Sequence, residues 1–178
     1  MRSILLVVLY TLALPTYASS PDTILEDYFT AIETRDFSHL SEMIVPQRMS
    51  DIKELMISVV ESTAPGAIAF EKQVLEVKLS KHEAETASAE FYLAKILSEL
   101  ASGAESMHFS LQNHTILGQV TEGDGQVHIV ARLKVAQPDK SADDIVVYSF
   151  SRVNEKWYME LPPMLKNYLG LIESSLKR

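Results

Sequence analysis

Gln126-Val127-His128-Ile129-Val130-Ala131-Arg132-Leu133-Lys134-Val135 alternates apolar and polar positions over its length. That period of two places Val127, Ile129, Ala131, Leu133 and Val135 on one face, as a half-buried strand requires. Strand signals continue on both sides. Glu122-Gly123-Asp124-Gly125 lies between Val120 and Val127, and its glycines supply the positive φ of a tight hairpin turn. Phe109, Leu111, Ile116, Leu117 and Val120 suggest an extended stretch before it, bent near Asn113. After a polar loop over Pro138 to Asp144, Ile145-Val146-Val147-Tyr148-Ser149-Phe150 reads as the next strand. Asn154-Glu155 then turns the chain into Trp157-Tyr158-Met159-Glu160-Leu161.

Upstream the apolar period becomes helical. Ser20-Pro21-Asp22 is a helix start, with a hydroxyl cap, a proline at the first turn and a carboxylate at the positive end of the dipole. Leu25, Tyr28, Phe29 and Ile32 share one face of a helix expected to end near Thr34. Asp36 is expected to cap a short second helix carrying Phe37, Leu40, Met43 and Ile44, with Pro46 closing it. Ser50-Asp51 opens a third, in which Ile52, Leu55, Met56, Val59 and Val60 line up, and Ala64-Pro65-Gly66 ends it. Phe70 to Leu79 mixes both periods and is read as helix. Ala84 to about Ser102 predicts one continuous helix stopped by Gly103, and Leu165, Tyr168, Leu169 and Ile172 define a terminal helix after Pro162-Pro163. Helices followed by strands specify an α+β domain, with N-terminal helices packed on a curved antiparallel sheet and a C-terminal helix.

The first eighteen residues read as an address. Met1-Arg2 is followed by the apolar Ile4 to Pro15, and Thr16-Tyr17-Ala18 offers small residues where a signal peptidase cuts. The expectation is an exported protein, periplasmic or secreted, with residues 19–178 forming one domain and no membrane insertion after cleavage. The chain of 178 residues has a net charge of −8, which disfavours nucleic acid as a partner. It has no cysteine, so disulfides and thiolate chemistry are excluded.

Tyr28-Phe29-Thr30-Ala31-Ile32, the pair Asp36-Phe37, and Phe150-Ser151-Arg152-Val153-Asn154-Glu155-Lys156-Trp157 together resemble the nuclear-transport-factor-2-like, or cystatin-like cone, superfamily. Ile116 to Gly123, with His128 and Arg132, also resembles a group of uncharacterised exported bacterial proteins. The first resemblance implies a sheet curled around a hollow. Polyketide cyclases and ketosteroid isomerases resemble this fold too, and place carboxylates and tyrosines inside the cone.

His128, Val130 and Arg132 share the strand face opposite the apolar one. If that face lines a pocket, an imidazole and a guanidinium can receive an anionic or carbonyl-bearing ligand. Tyr148 and Arg152, alternating with Val146 and Phe150, are expected to join them. His128, Arg132, Tyr148 and Arg152 are therefore the candidate ligand-binding residues, with no catalytic residue assigned. Trp157 is expected to anchor the core or the sheet edge. His82-Glu83 begins like a zinc-protease motif but has Thr86 where the second histidine belongs. His108 and His114 on one continuous strand would stand about 20 Å apart, too far to share an ion. No metal or other cofactor is expected, and no nucleophile elbow, phosphate loop or dinucleotide fingerprint occurs.

Two functions fit: a non-enzymatic module binding a small molecule or a protein on the concave side of the sheet, or a cyclase or isomerase using His128 as acid or base with Arg132 polarising the substrate. A third possibility is a homodimer formed through the sheet.

Overall fold

The computed structural model describes residues 19–107, 110–136 and 141–176. The expected signal segment, His108, Phe109 and residues 138–140 of the expected polar loop lie outside these residues, whereas Ser141 to Asp144 of that loop are already strand. The elements run α1 (Pro21–Thr34), α2 (Leu40–Met43), α3 (Pro46–Glu61), α4 (Pro65–Leu75), α5 (Lys81–Thr86), α6 (Ala89–Ser106), β1 (Ser110–Glu122), β2 (Gln126–Ala136), β3 (Ser141–Val153), β4 (Lys156–Met159) and α7 (Pro163–Ser175). The class is α+β, as the order of periods requires.

The four strands form an antiparallel meander in chain order, open rather than closed. β1 carries two irregularities, between Leu111 and Asn113 and between Ile116 and Gly118, the first at the expected bend. Val127, Ile129 and Ala131 of β2, Tyr148 and Phe150 of β3 and Met159 of β4 are all buried on one face. α1 lies on that face through Ile24, Leu25, Tyr28 and Phe29, and α7 returns beneath β3 with Leu165, Leu169 and Ile172. A second layer gathers around α3, whose Ile52, Met56 and Val59 are buried and which packs against α4, α5, α6 and α7. Among the described residues no helix is long and apolar enough to cross a membrane.

Several boundaries depart from the expected ones. Pro46 does not close α2 but opens α3 as its first residue, four positions before the expected start at Ser50. Ile44 bridges Met159 in parallel, and the Val45 amide donates to the Met159 carbonyl at 3.0 Å. The chain therefore runs extended beside the end of β4 and then reaches proline, whose fixed φ begins a helix. Asp36 caps nothing: it accepts from the Ser38 amide and hydroxyl in a local turn, and α2 starts at Leu40.

The expected single helix over 84–102 is two. Ser80 and Glu83 form a reciprocal capping box that starts α5 at Lys81, and Ser88 caps α6 through the Phe91 amide. Two hydroxyl caps eight positions apart outweigh the run of good helix formers around them. Gly103 does not stop α6, which continues to Ser106. Phe70 lies in α4 as read, but that helix ends at Leu75, where Glu76 turns left-handed.

Glu71 on α4 is the buried charged residue of the core, 7% exposed, and its Oε1 has no hydrogen-bond partner among the described residues. An unpaired buried oxygen costs about 1–3 kcal/mol. Glu71→Met, which keeps the length and removes that oxygen, is expected to raise unfolding stability by about 1 kcal/mol or more. Urea titration checks it, and a loss of stability would show that Glu71 has a favourable role.

Candidate binding face

The registers decide which of the candidate residues can act together. Ile129 faces Tyr148 and Val127 faces Phe150 across β2 and β3, so Tyr148 belongs to the buried face. Arg152 lies two residues beyond Phe150, on that same side, opposite Trp157. His128 pairs with Ser149 and Arg132 with Ile145, on the other side of the sheet. The four residues proposed as one ligand set are thus divided between two faces and do not converge. The alternation within each strand is as expected, but its phase between β2 and β3 is not.

Tyr148 is built into an aromatic cluster. Its ring lies 5.5 Å from Phe29 in an edge contact and 5.8 Å from Tyr28, while Phe29 stacks on the His114 imidazole at 4.1 Å. Burial pushes the Tyr28 hydroxyl up to about 12. It raises Tyr148 as well, helped by the nearby Tyr28 and Asp144. His114 Nε2 donates to Glu26 at 2.8 Å, and its Nδ1 stands 3.7 Å from Glu33. This cluster docks α1 on the sheet. Arg152 is exposed at the rim, over the Trp157 ring at 6.0 Å and paired with Glu155. Trp157 is half-buried against the core, in the anchoring place expected of it.

Among the described residues, the opposite face is uncovered over β1, β2 and β3. Its rows, read across β1, β2 and β3, are Glu122, Gln126 and Ser151; Val120, His128 and Ser149; Gly118, Val130 and Val147; Thr115, Arg132 and Ile145; and Asn113, Lys134 and Asp143. Val120 (62%), Ile145 (59%) and Val147 (48%) are exposed on it, and Leu117 is exposed at the bulge beside Gly118. Below them runs a hydrogen-bonded chain across three strands. Ser149 Oγ donates to His128 Nδ1 at 2.9 Å, and His128 Nε2 donates to Glu122 at 3.1 Å.

A hydroxyl, an imidazole and a carboxylate in series have the order of a nucleophile relay. The surroundings do not complete one. Ser149 and His128 sit in the middle of paired strands, whose ladder already uses the backbone amides that an oxyanion site would need. Neither Ser149 nor Glu122 was singled out in the sequence. The Gly123-Asp124-Gly125 turn could have revealed the diagonal Glu122–His128 neighbours, whereas Ser149 depends on the β2–β3 register, which no short turn fixes.

Two open hollows lie elsewhere. One, about 490 Å³, is bordered by Glu42, Met49, Lys53, Glu90, Lys156 and Tyr158. The other, about 500 Å³, lies between α3 and α7 and is bordered by Asp51, Leu55, Leu161, Lys166 and Glu173. His128 and Arg132 border neither. Among the described residues no group of three or more His, Asp or Glu side chains is placed to hold a metal ion.

No family model and no curated protein matches this chain. Among solved structures it is similar to the solution structure of a SEC-C motif-containing protein from Rhodopseudomonas palustris, at 10% identity and a TM-score of 0.45, over 81% of this chain and 77% of that one. The expected likeness to the nuclear-transport-factor-2-like cone superfamily does not hold: no family model returns it, and the solved structure named above is a SEC-C motif-containing protein. The residues that suggested it have local structural jobs: Asp36 shapes a turn, Tyr28 and Phe29 dock a helix, and Trp157 anchors a strand end. The sheet is open, and its inner side is packed with Ile129, Tyr148 and Phe150 rather than hollow.

Proposed function

We propose that this chain is an exported, non-enzymatic binding module that meets another protein through the uncovered face of its sheet. The carrying observation is the group of exposed apolar residues there, Val120, Ile145 and Val147, in a sheet whose other side carries the core residues Val127, Ile129, Ala131, Tyr148 and Phe150. An antiparallel sheet with one solvated face ordinarily alternates toward polar residues on that side. A patch of this kind, rimmed by Glu122, Arg132, Lys134 and Asp143, is the usual composition of a protein-binding surface. The small-molecule reading has less support, since the inner side is filled and the hollows are open. The cyclase or isomerase reading needs His128 beside an enclosed cavity, and His128 lies on the flat outer face. Export rests on the apolar Ile4 to Pro15 and the cleavage pattern at Thr16-Tyr17-Ala18.

A photoreactive residue tests the reading in the producing cell. Val147→benzoylphenylalanine is expected to give a discrete crosslinked protein adduct, and the same group at Lys72, exposed on α4, to give none. Equal labelling from both positions, or none from 147, would count against the face. Intact mass of the recovered chain tests export, with loss of residues 1–18 as the expected result.

A further inference from the structure

We propose that the partner on this face is a second copy of the chain, related by a two-fold axis that runs across the strands through the row of Val130 and Val147. This rests on the protein-binding reading above and names its partner.

The argument comes from how charge is laid out along the face. At one end stands Glu122, bonded to His128. At the other stand Arg132 and Lys134, both exposed and without an ion-pair partner among the described residues, with Asp143 opposite Lys134. Over β1, β2 and β3, and counting His128 as neutral, one end carries a single negative charge and the other a single positive one, while the β4 edge adds Glu160, paired with Arg48, and Lys156. Between the two ends lie Val120, Val130, Ile145 and Val147.

Only certain symmetric pairings suit that layout. A two-fold parallel to the strands would stack Arg132 on Arg132 and Lys134 on Lys134 of the other copy, like charge on like. A two-fold across the strands reverses the long direction, so the Glu122 end of each copy lies over the Arg132–Lys134 end of the other. Val130 and Val147 then meet their own counterparts at the axis, and both charged contacts form twice, as an isologous interface demands. Stacked sheets pack about 10 Å apart at roughly 30°, which such an axis permits.

The size is sufficient for a reversible pair. At about 3.3 Å per residue and 4.8 Å per strand, the eleven residues of β2 and their neighbours on β1 and β3 give a flat footprint of roughly 500 Å². Two copies bury on the order of 1,000 Å², near the lower limit for a specific interface, so a micromolar dimer is the expectation.

Sedimentation equilibrium and native mass spectrometry on the chain purified from its own cells test the proposal. A concentration-dependent dimer is expected. Val147→Asp should abolish it, while Glu122→Lys and Lys134→Glu should each raise the dissociation constant about tenfold or more. Glu122→Lys combined with Lys134→Glu should restore most of the affinity, because the swap re-forms the pair. Thermal melts of each variant keep loss of pairing separate from loss of fold. A monomer at about 100 µM, a dimer indifferent to Val147→Asp, or a double swap no tighter than the single changes would overturn self-association. A crosslink from position 147 to a different protein, with the chain itself monomeric, would end this proposal and leave the binding face standing. A monomer with no crosslink at all would remove both.

Discussion

Phe29→Ala should lower the unfolding free energy by about 3–5 kcal/mol, the range for deleting a fully buried aromatic ring. Phe29 is 1% exposed and touches Tyr28, Tyr148 and His114, so its ring is the joint between α1 and the sheet. The void would form where a helix meets two strands, and closing it would require moving α1 as a body. Against total stabilities of about 5–15 kcal/mol for a domain this size, that loss corresponds to a fall of roughly 10 °C or more in midpoint. Phe91, 36% exposed on α6, is the contrast: its alanine variant should lose much less. Urea unfolding of the two variants decides the matter. A drop of under about 1 kcal/mol for Phe29→Ala would mean that α1 is not held to the sheet through this ring.

The second large effect is with pH. An unfolded chain ionises tyrosine near 10, whereas burial pushes Tyr28 up to about 12 in the fold. Below pH 10 the hydroxyl is neutral in both states and the fold has its full stability. Between about 10 and 12 the unfolded chain gives up a proton that the folded chain keeps, so stability falls as pH rises. Two units amount to about 3 kcal/mol, with a slope of about 1.4 kcal/mol per pH unit from this residue. Tyr148, raised by burial and by nearby Tyr28 and Asp144, steepens the same decline. Unfolding titrations from about pH 8 to about pH 11 should therefore show Tyr28→Phe losing stability less steeply than the parent. Parallel curves would show that the Tyr28 hydroxyl ionises as freely in the fold as outside it.

The fold was legible where local rules dominate. The alternation in β2, the glycine turn before it and the cap at Ser20 each match the observed element, because each depends on a few neighbouring residues. The boundaries that misled were those set by distant partners. Pro46 reads as a terminator until the extended Ile44 and Val45 are seen bridged to Met159, more than a hundred residues later. Around Ser88 the composition favours one helix, and the caps at Ser80 and Ser88 divide it into two.

The candidate site was legible only in part for the same reason. Strand alternation separates His128 and Arg132 from the apolar face, yet it cannot say whether an even-numbered residue of β2 sits beside an even or an odd residue of β3. The observed pairing is even with odd, His128 with Ser149, which sends Tyr148 inward and brings an unexpected serine outward. The uncovered face follows from tertiary packing, since it depends on α1 and α7 docking on the other side of β2 and β3.

The two borders of the sheet are unlike each other. The four residues of β4 pair only Phe150 to Val153 of β3, and the Val45 amide on Met159 covers the far side of that short strand. Among the described residues, Ser141 to Tyr148 of β3 have no strand on that side, and the thirteen residues of β1 have none on their outer side. Adventitious strand addition has to begin at one of these two stretches. The longer one, β1, is where lateral mispairing of this protein should start.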